Sequence, residues 1–282
     1  MTRLLASTLF LGLILILGCV TRPQSTVSWD PPGMALQHPS DGSPTVVAEQ
    51  IQLNVDPIRI TLHLSEGWQP SAHRLALHFH TSPAFALREH HRAGYRFPLV
   101  SMMLGSGSAR YRTPFLDSTL LPRILEAVEG ELRSRHPSAE SIRDIDITSF
   151  SAGYGAVREL VQQPGSRSRI RRILLSDSLY AGLVSGADGS GVRTVQPDQI
   201  ECWLPFARDA VAGRTTFVLT HSQIPTPSYA STAECATALL AAMGLQAGIV
   251  PADAGRWPLV SRCDAGRFHV WGYGGTDANA HL

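Results

Sequence analysis

From residue 47 onward the sequence returns again and again to short runs of strand periodicity, and most are separated by stretches of helix periodicity. Few architectures accept that order. Ile51-Gln52-Leu53-Asn54-Val55 and Ile58-Arg59-Ile60-Thr61-Leu62-His63-Leu64 alternate apolar and polar residues and read as strands around Pro57. Leu75-Ala76-Leu77-His78-Phe79-His80 reads as a third strand. Phe97 to Leu104 is a fourth, nearly all apolar, as a strand covered on both faces should be. Ile145-Asp146-Ile147-Thr148-Ser149-Phe150 is the fifth, and Ile170 to Ser176, Thr215 to Thr220 and Arg267 to Tyr273 complete eight. Between them, Ser118 to Arg135 carries an apolar stripe at Leu120, Leu121, Ile124, Leu125, Val128 and Leu132. Gly153 to Gln162 and Tyr229 to Met243 also read as helices, the latter capped by Ser231 or Thr232. The expectation is an α/β fold: a mostly parallel eight-stranded sheet with helices on both faces. Residues 181–213, between strands six and seven, leave room for a small lid.

Composition narrows the chemistry. The 282 residues are 44% apolar and 17% charged, which excludes disordered, collagen-like and coiled-coil classes. All 24 basic residues other than histidine are arginine. Without lysine there is no phosphate-loop lysine, no Schiff base and no lysine general base. The formal net charge of +1 is spread along the chain, so nucleic acid is not an expected partner. Arg167, Arg169, Arg171 and Arg172 form a short basic run that reads as a solvated loop, with anionic lipid as the alternative.

Residues 1–18 read as an export signal rather than as fold. Met1 to Arg3 is a positive start, and Leu4 to Leu17 is an apolar run of fourteen residues, short for a membrane span. The run ends Ile16-Leu17-Gly18-Cys19, which resembles the lipobox of bacterial lipoproteins. That resemblance implies cleavage before Cys19, lipidation of its sulfur, and a domain held at a membrane of the bacterial cell envelope, facing the periplasm or exterior. A plain secretory signal with an incidental cysteine is the alternative. Residues 19–46, rich in Pro, Ser, Thr, Gln and Gly, read as a flexible tether, and 47–282 as the folded domain. Cys202, Cys235 and Cys263 remain, either with one disulfide among them or as three buried apolar side chains.

The most informative segment is Thr148-Ser149-Phe150-Ser151-Ala152-Gly153-Tyr154-Gly155. An apolar strand runs into Ser151 and a helix starts just after it. Small residues stand two positions either side of the serine, where larger side chains would collide in a tight strand-to-helix turn. The helix N-terminus behind it favours developing negative charge. The segment resembles the nucleophile elbow of the α/β-hydrolase family, with serine in place of the first glycine, and it follows the fifth strand as in that family. The resemblance spans roughly residues 47–282 and implies a serine hydrolase acting on an ester or amide, without cofactor or metal.

It also implies partners for Ser151. The family's histidine follows the eighth strand, and His281 lies in that loop, while His269 is inside the strand. As the penultimate residue of the sequence, His281 serves as base only if the tail is pinned. The family's acid usually follows strand seven, where this chain has no carboxylate before Glu234. Asp177, after strand six, is therefore the expected acid, with Glu234 and Asp277 as alternatives. The oxyanion donors are expected to be the backbone N–H of Ala152 and of Thr81 or Ser82; Thr81 stands where glycine is common.

Other polar clusters carry less. His78-x-His80 and the nearby His90-His91 suggest a metal site, but no aspartate follows as metallohydrolases with such a pair usually require, so oxyanion-turn scaffolding is the plainer reading. Gly105-Ser106-Gly107 reads as a turn at the site's rim that opens no clear helix. Two functions follow: an envelope-anchored serine hydrolase acting on a small or lipid-like acyl substrate, or a non-catalytic lipoprotein on the same scaffold that binds an envelope ligand.

Overall fold

The computed structural model describes residues 48–184, 193–251 and 255–281. All but the final residue of the folded region's tail are therefore described, while the export signal 1–18, Cys19, the tether 19–46 and the loop Ser185–Gly191 lie outside the described residues. The described residues belong to the second of the chain's two units, Thr45–Leu282.

The first strands are β1 (Ala48–Val55), β2 (Ile58–Ser65) and β3 (Arg74–Phe79), followed by α1 (Pro83–Arg92) and β4 (Leu99–Met102). Next come α2 (Ser108–Phe115), α3 (Leu120–Arg135), β5 (Asp144–Phe150), α4 (Tyr154–Gln162), the short α5 (Pro164–Arg167) and β6 (Ile170–Ser176). A small ribbon, β7 (Leu183–Val184) and β8 (Thr194–Val195), precedes α6 (Asp198–Glu201), α7 (Leu204–Val211) and β9 (Thr216–His221). The chain continues through α8 (Thr232–Ala242), β10 (Gly248–Ile249), β11 (Leu259–Ala265) and β12 (Phe268–Tyr273).

Among the described residues, ten strands form one sheet in the order β1-β2-β4-β3-β5-β6-β9-β12-β11-β10. The centre, from β4 to β12, is parallel, and both edges are antiparallel. The fold is thus the expected mixed α/β class, with ten strands rather than eight in the sheet. The additional pair is β10 and β11. Alternation in β11 is confined to its second half, where exposed Arg262 and Asp264 flank buried Cys263.

The main core lies on one face, where Leu75, Leu77, Ile145, Ile147, Ile173, Leu175, Phe217, Leu219, Phe268 and Val270 meet helices α2, α3, α4, α7 and α8. The opposite face carries a smaller cluster of Ala76, Ala86, Leu87 and Leu99 beneath α1. The expected lid is corrected in its second half. Ile200, Trp203, Phe206, Ala207 and Ala210 are buried in the main core, so α6 and α7 form part of the covering layer rather than a cap. Gly105-Ser106-Gly107 does open a helix, α2. The sequence hid it because α2 carries Pro114 and buries only Tyr111 and Phe115.

Candidate active site

The parallel strands present their C-terminal ends on one edge of the sheet, and the expected site residues meet there. Ser151 follows β5 directly, in a single 3-10 turn (Ser151–Gly153) that leads into α4. Its φ of 46° is in the left-handed region, a strained choice for a residue with a Cβ. Gly153 makes the turn feasible. A Cβ there would stand 2.6 Å from Ser149 Oγ and 2.7 Å from both Phe79 Cβ and the Phe79 carbonyl oxygen. The two small residues flanking Ser151 therefore face each other, as the spacing implied. Buried hydroxyls pin the turn: Ser149 and Ser178 Oγ atoms lie 2.8 Å apart, and Ser178 donates to the Ser151 carbonyl at 2.8 Å.

Asp177 follows β6, also with positive φ (42°), and its N–H donates to the Thr220 carbonyl at 3.0 Å. Its carboxylate is buried and collects four donors. Oδ1 accepts from Ser222 N–H at 3.0 Å and from the Thr232 hydroxyl, and Oδ2 accepts from the Ser222 hydroxyl at 2.9 Å. The fourth contact is His281 Nδ1 to Oδ2 at 2.6 Å. Burial alone would raise the Asp177 pKa, but the bonds from His281, Thr232 and Ser222 outweigh it and hold the carboxyl below its usual range. Ser222 and Thr232 carried no sequence signal: a serine and a threonine in a loop are silent until the chain brings them beneath a carboxylate.

The tail is pinned. His281 ends a 3-10 turn (Ala278–His281) whose N–H groups at Asn279 and Ala280 bond to Asp277 Oδ1 at 2.9 and 3.2 Å. Gln223 N–H reaches the Gly275 carbonyl at 3.0 Å, tying the tail to the loop after β9. The imidazole packs on Phe150, the residue before Ser151, with ring centroids 4.6 Å apart. The other carboxylates considered for the acid go elsewhere: Asp277 caps that turn, and Glu234 forms the capping box of α8 with Ser231 and pairs with Arg193 at 2.7 Å. Among the described residues no hydrogen bond engages Ser151 Oγ. His281 is thus packed on the residue next to Ser151, without a direct bond between the two.

Ala152 lies in the turn after Ser151, at the start of a helix where N–H groups have no intrahelical acceptor. Thr81 lies in the turn after β3, its hydroxyl 2.7 Å from His78 Nε2 and donating to the Ser82 carbonyl at 3.2 Å. His78 is buried, with Nδ1 2.6 Å from Thr148 Oγ1, so both its nitrogens are consumed. Burial first, then the neighbouring His80 and His63, push its pKa down to about 4. Among the described residues, no group of three or more His, Cys, Asp or Glu side chains is arranged to hold a metal ion. Cys202, Cys235 and Cys263 are free thiols, so the described residues contain no disulfide.

Fold and site together define a class: a mixed α/β protein with a serine on a strained strand-to-helix turn and a His–Asp pair beside it. No family model matches the chain, and no curated protein sequence does. Among solved structures it is similar to the LpqC poly(3-hydroxybutyrate) depolymerase from Bordetella parapertussis, at 12% identity over 84% of this chain and 86% of that one, TM-score 0.45. It is also similar to an acetyl xylan esterase from Aspergillus awamori, at 14% identity over 82% and 93% of the two chains, TM-score 0.47. A dienelactone hydrolase-like promiscuous phosphotriesterase, P91, from metagenomic libraries is similar at 12% identity over 84% and 93%, TM-score 0.43.

Proposed function

We propose that the protein is a serine hydrolase that cleaves esters through an acyl-enzyme on Ser151, with amides as the next substrate class. The contact that carries the reading is His281 Nδ1 to Asp177 Oδ2, between residues 104 positions apart, beside a serine held at φ 46°. Two distant segments meet there in the arrangement that orients an imidazole toward a hydroxyl. His281 donates Nδ1–H to ionised Asp177, which leaves Nε2 as the proton acceptor. Ser151 Oγ attacks the carbonyl carbon while its proton passes to Nε2. The amides of Ala152 and Thr81 face the oxygen that gains charge. Collapse breaks the carbon–oxygen bond, and the imidazolium returns the proton to the departing alcohol. Water then attacks the acyl carbon, giving a proton to Nε2; the bond from the acyl carbon to Ser151 Oγ breaks, the imidazolium passes that proton to Oγ, and the acid leaves. Closure of the Ser151–His281 gap on substrate binding is required, as is common where the catalytic hydrogen bond tightens only in the Michaelis complex.

A fluorophosphonate probe and p-nitrophenyl acetate test this. Wild type should be labelled stoichiometrically and hydrolyse the ester, and Ser151→Ala should do neither; equal labelling of both proteins rejects the proposal. The unbonded Ser151 hydroxyl favours a second reading, a non-catalytic scaffold that binds an envelope ligand, and an unlabelled wild type would select it. The Leu17-Gly18-Cys19 sequence supports lipid anchoring at the cell envelope. Palmitate incorporation that survives Cys19→Ala would reject that part.

A further inference from the structure

Ser149 and Ser178 are both fully buried, so each hydroxyl must find its partners inside the protein. The Ser178 hydroxyl lies 2.8 Å from the Ser151 carbonyl oxygen, which can only accept, so its proton points there. In its other contact, 2.8 Å from Ser149 Oγ, Ser178 is therefore the acceptor and Ser149 the donor. The bonds run one way, from the Ser149 hydroxyl to the Ser178 hydroxyl to the Ser151 carbonyl. Gly153 leaves the space for this chain of bonds, since a Cβ there would stand 2.6 Å from Ser149 Oγ.

The hydroxyls join two strained loops. Ser151 and Asp177 both have left-handed φ, 46° and 42°, and such a conformation persists in a residue with a Cβ only when the surroundings impose it. β5 and β6 are adjacent and parallel, with Phe150 beside Ser176, so Ser151 and Asp177 leave neighbouring strand ends. That register brings Ser178, the residue after Asp177, within reach of the Ser151 backbone. A carboxylate carried after β9 would stand one strand further away, because β6 lies between β5 and β9. His281 is bonded to Asp177 at 2.6 Å. One hydrogen bond, from Ser178 to the Ser151 carbonyl, thus ties the loop that holds the His–Asp pair to the backbone of the nucleophile.

We infer that Ser178 is a positioning residue: backed by Ser149, its hydroxyl keeps the nucleophile turn in register with the Asp177–His281 pair, so that the gap between Ser151 and His281 closes by side-chain rotation alone. This rests on the serine-hydrolase reading of Ser151. Fluorophosphonate titration counts competent sites, so kcat for p-nitrophenyl acetate is read per folded site and loss of stability does not enter it. In Ser178→Ala, kcat per site should fall by about 10–10², the scale for a small misplacement of a reacting group, with KM within about threefold. Labelling should still go to completion, but more slowly. The acid limb of the pH–rate profile should stay in place, because the Ser178 hydroxyl is spent on Ser149 and Ser151. Ser149→Ala should lower kcat by about three- to tenfold, since Ser178 still donates, and adding it to Ser178→Ala should cost less than about twofold more, as for residues that act through one another. A Ser178→Ala kcat within about threefold of wild type overturns the inference. So does a displaced acid limb, which would put the effect on Asp177, and so does a double variant whose loss is the product of the two single losses. If Ser178→Ala does not fold, Ser149→Ala keeps Ser178 and decides alone: a kcat per site equal to wild type overturns the inference. These results leave the serine reading standing; a wild type that fluorophosphonate does not label overturns that reading and this inference with it.

Discussion

Replacing Ser222 by alanine removes one hydroxyl from a buried carboxylate. In the wild type Asp177 Oδ2 takes two bonds, from the Ser222 hydroxyl at 2.9 Å and from His281 at 2.6 Å. The Ser222 N–H to Oδ1, at 3.0 Å, belongs to the backbone and survives the substitution. A hydrogen bond to a charged group contributes roughly 1.5–3 kcal/mol, so Ser222→Ala should destabilise the protein by about 2 kcal/mol at neutral pH. The same loss raises the folded-state pKa of Asp177, because one donor to its ionised form is gone. The sign sets the pH window. The folded pKa of Asp177 lies below its ordinary value of 3.8, so its stabilisation is present above that value and lost as pH falls through the folded pKa. In the variant the loss begins at higher pH, and in strong acid, with the carboxyl protonated in both states, the two proteins should converge. Urea unfolding at several pH values, followed by the fluorescence of fully buried Trp203, reads the difference directly. A deficit below about 0.5 kcal/mol at pH 7, or one that does not change with pH, refutes the claim that the hydroxyl acts on the ionised carboxylate.

Gly153→Ala puts a Cβ within 2.7 Å of the Phe79 carbonyl, which no side-chain rotation relieves. It should cost about 1–3 kcal/mol in urea unfolding and lower kcat by displacing the end of β3; a fully active, equally stable variant contradicts the described turn. His78, held neutral with a folded pKa of about 4 against 6.5 when unfolded, contributes stability that is complete above pH 6.5 and declines toward pH 4, by about 3 kcal/mol in total. The difference in unfolding free energy between wild type and His78→Gln should therefore shrink between pH 6.5 and 4; parallel curves would show that His78 takes up a proton as readily folded as unfolded.

Several parts of this site were legible because local chemistry and global fold coincide there. The segment Thr148–Gly155 must place small residues either side of a serine on a strand-to-helix turn, and the turn is built that way. His281 was legible as the histidine beyond the last strand. The choice among Asp177, Glu234 and Asp277 was not settled by local sequence, since each is a carboxylate in a loop; the answer depends on which strand end stands next to the tail. The second half of the expected lid was misread because the apolar residues around Trp203 suit a cap over a cleft and a layer over a sheet equally well. Strand β11 was missed because its first residues, Leu259-Val260-Ser261-Arg262, break the period of two, and only Arg262 to Ala265 alternates.

The amino-acid order alone determined the periodicities, and with them the alternation of strands and helices, because hydrophobic burial acts on patterns a few residues long. It also determined where a tight turn could hold a serine. Only the tertiary structure decided that His281 meets Asp177 and that Ser222 and Thr232 saturate that carboxylate. Those contacts join residues tens to a hundred positions apart, and their geometry comes from the order of strands in the sheet, which no short window of sequence contains.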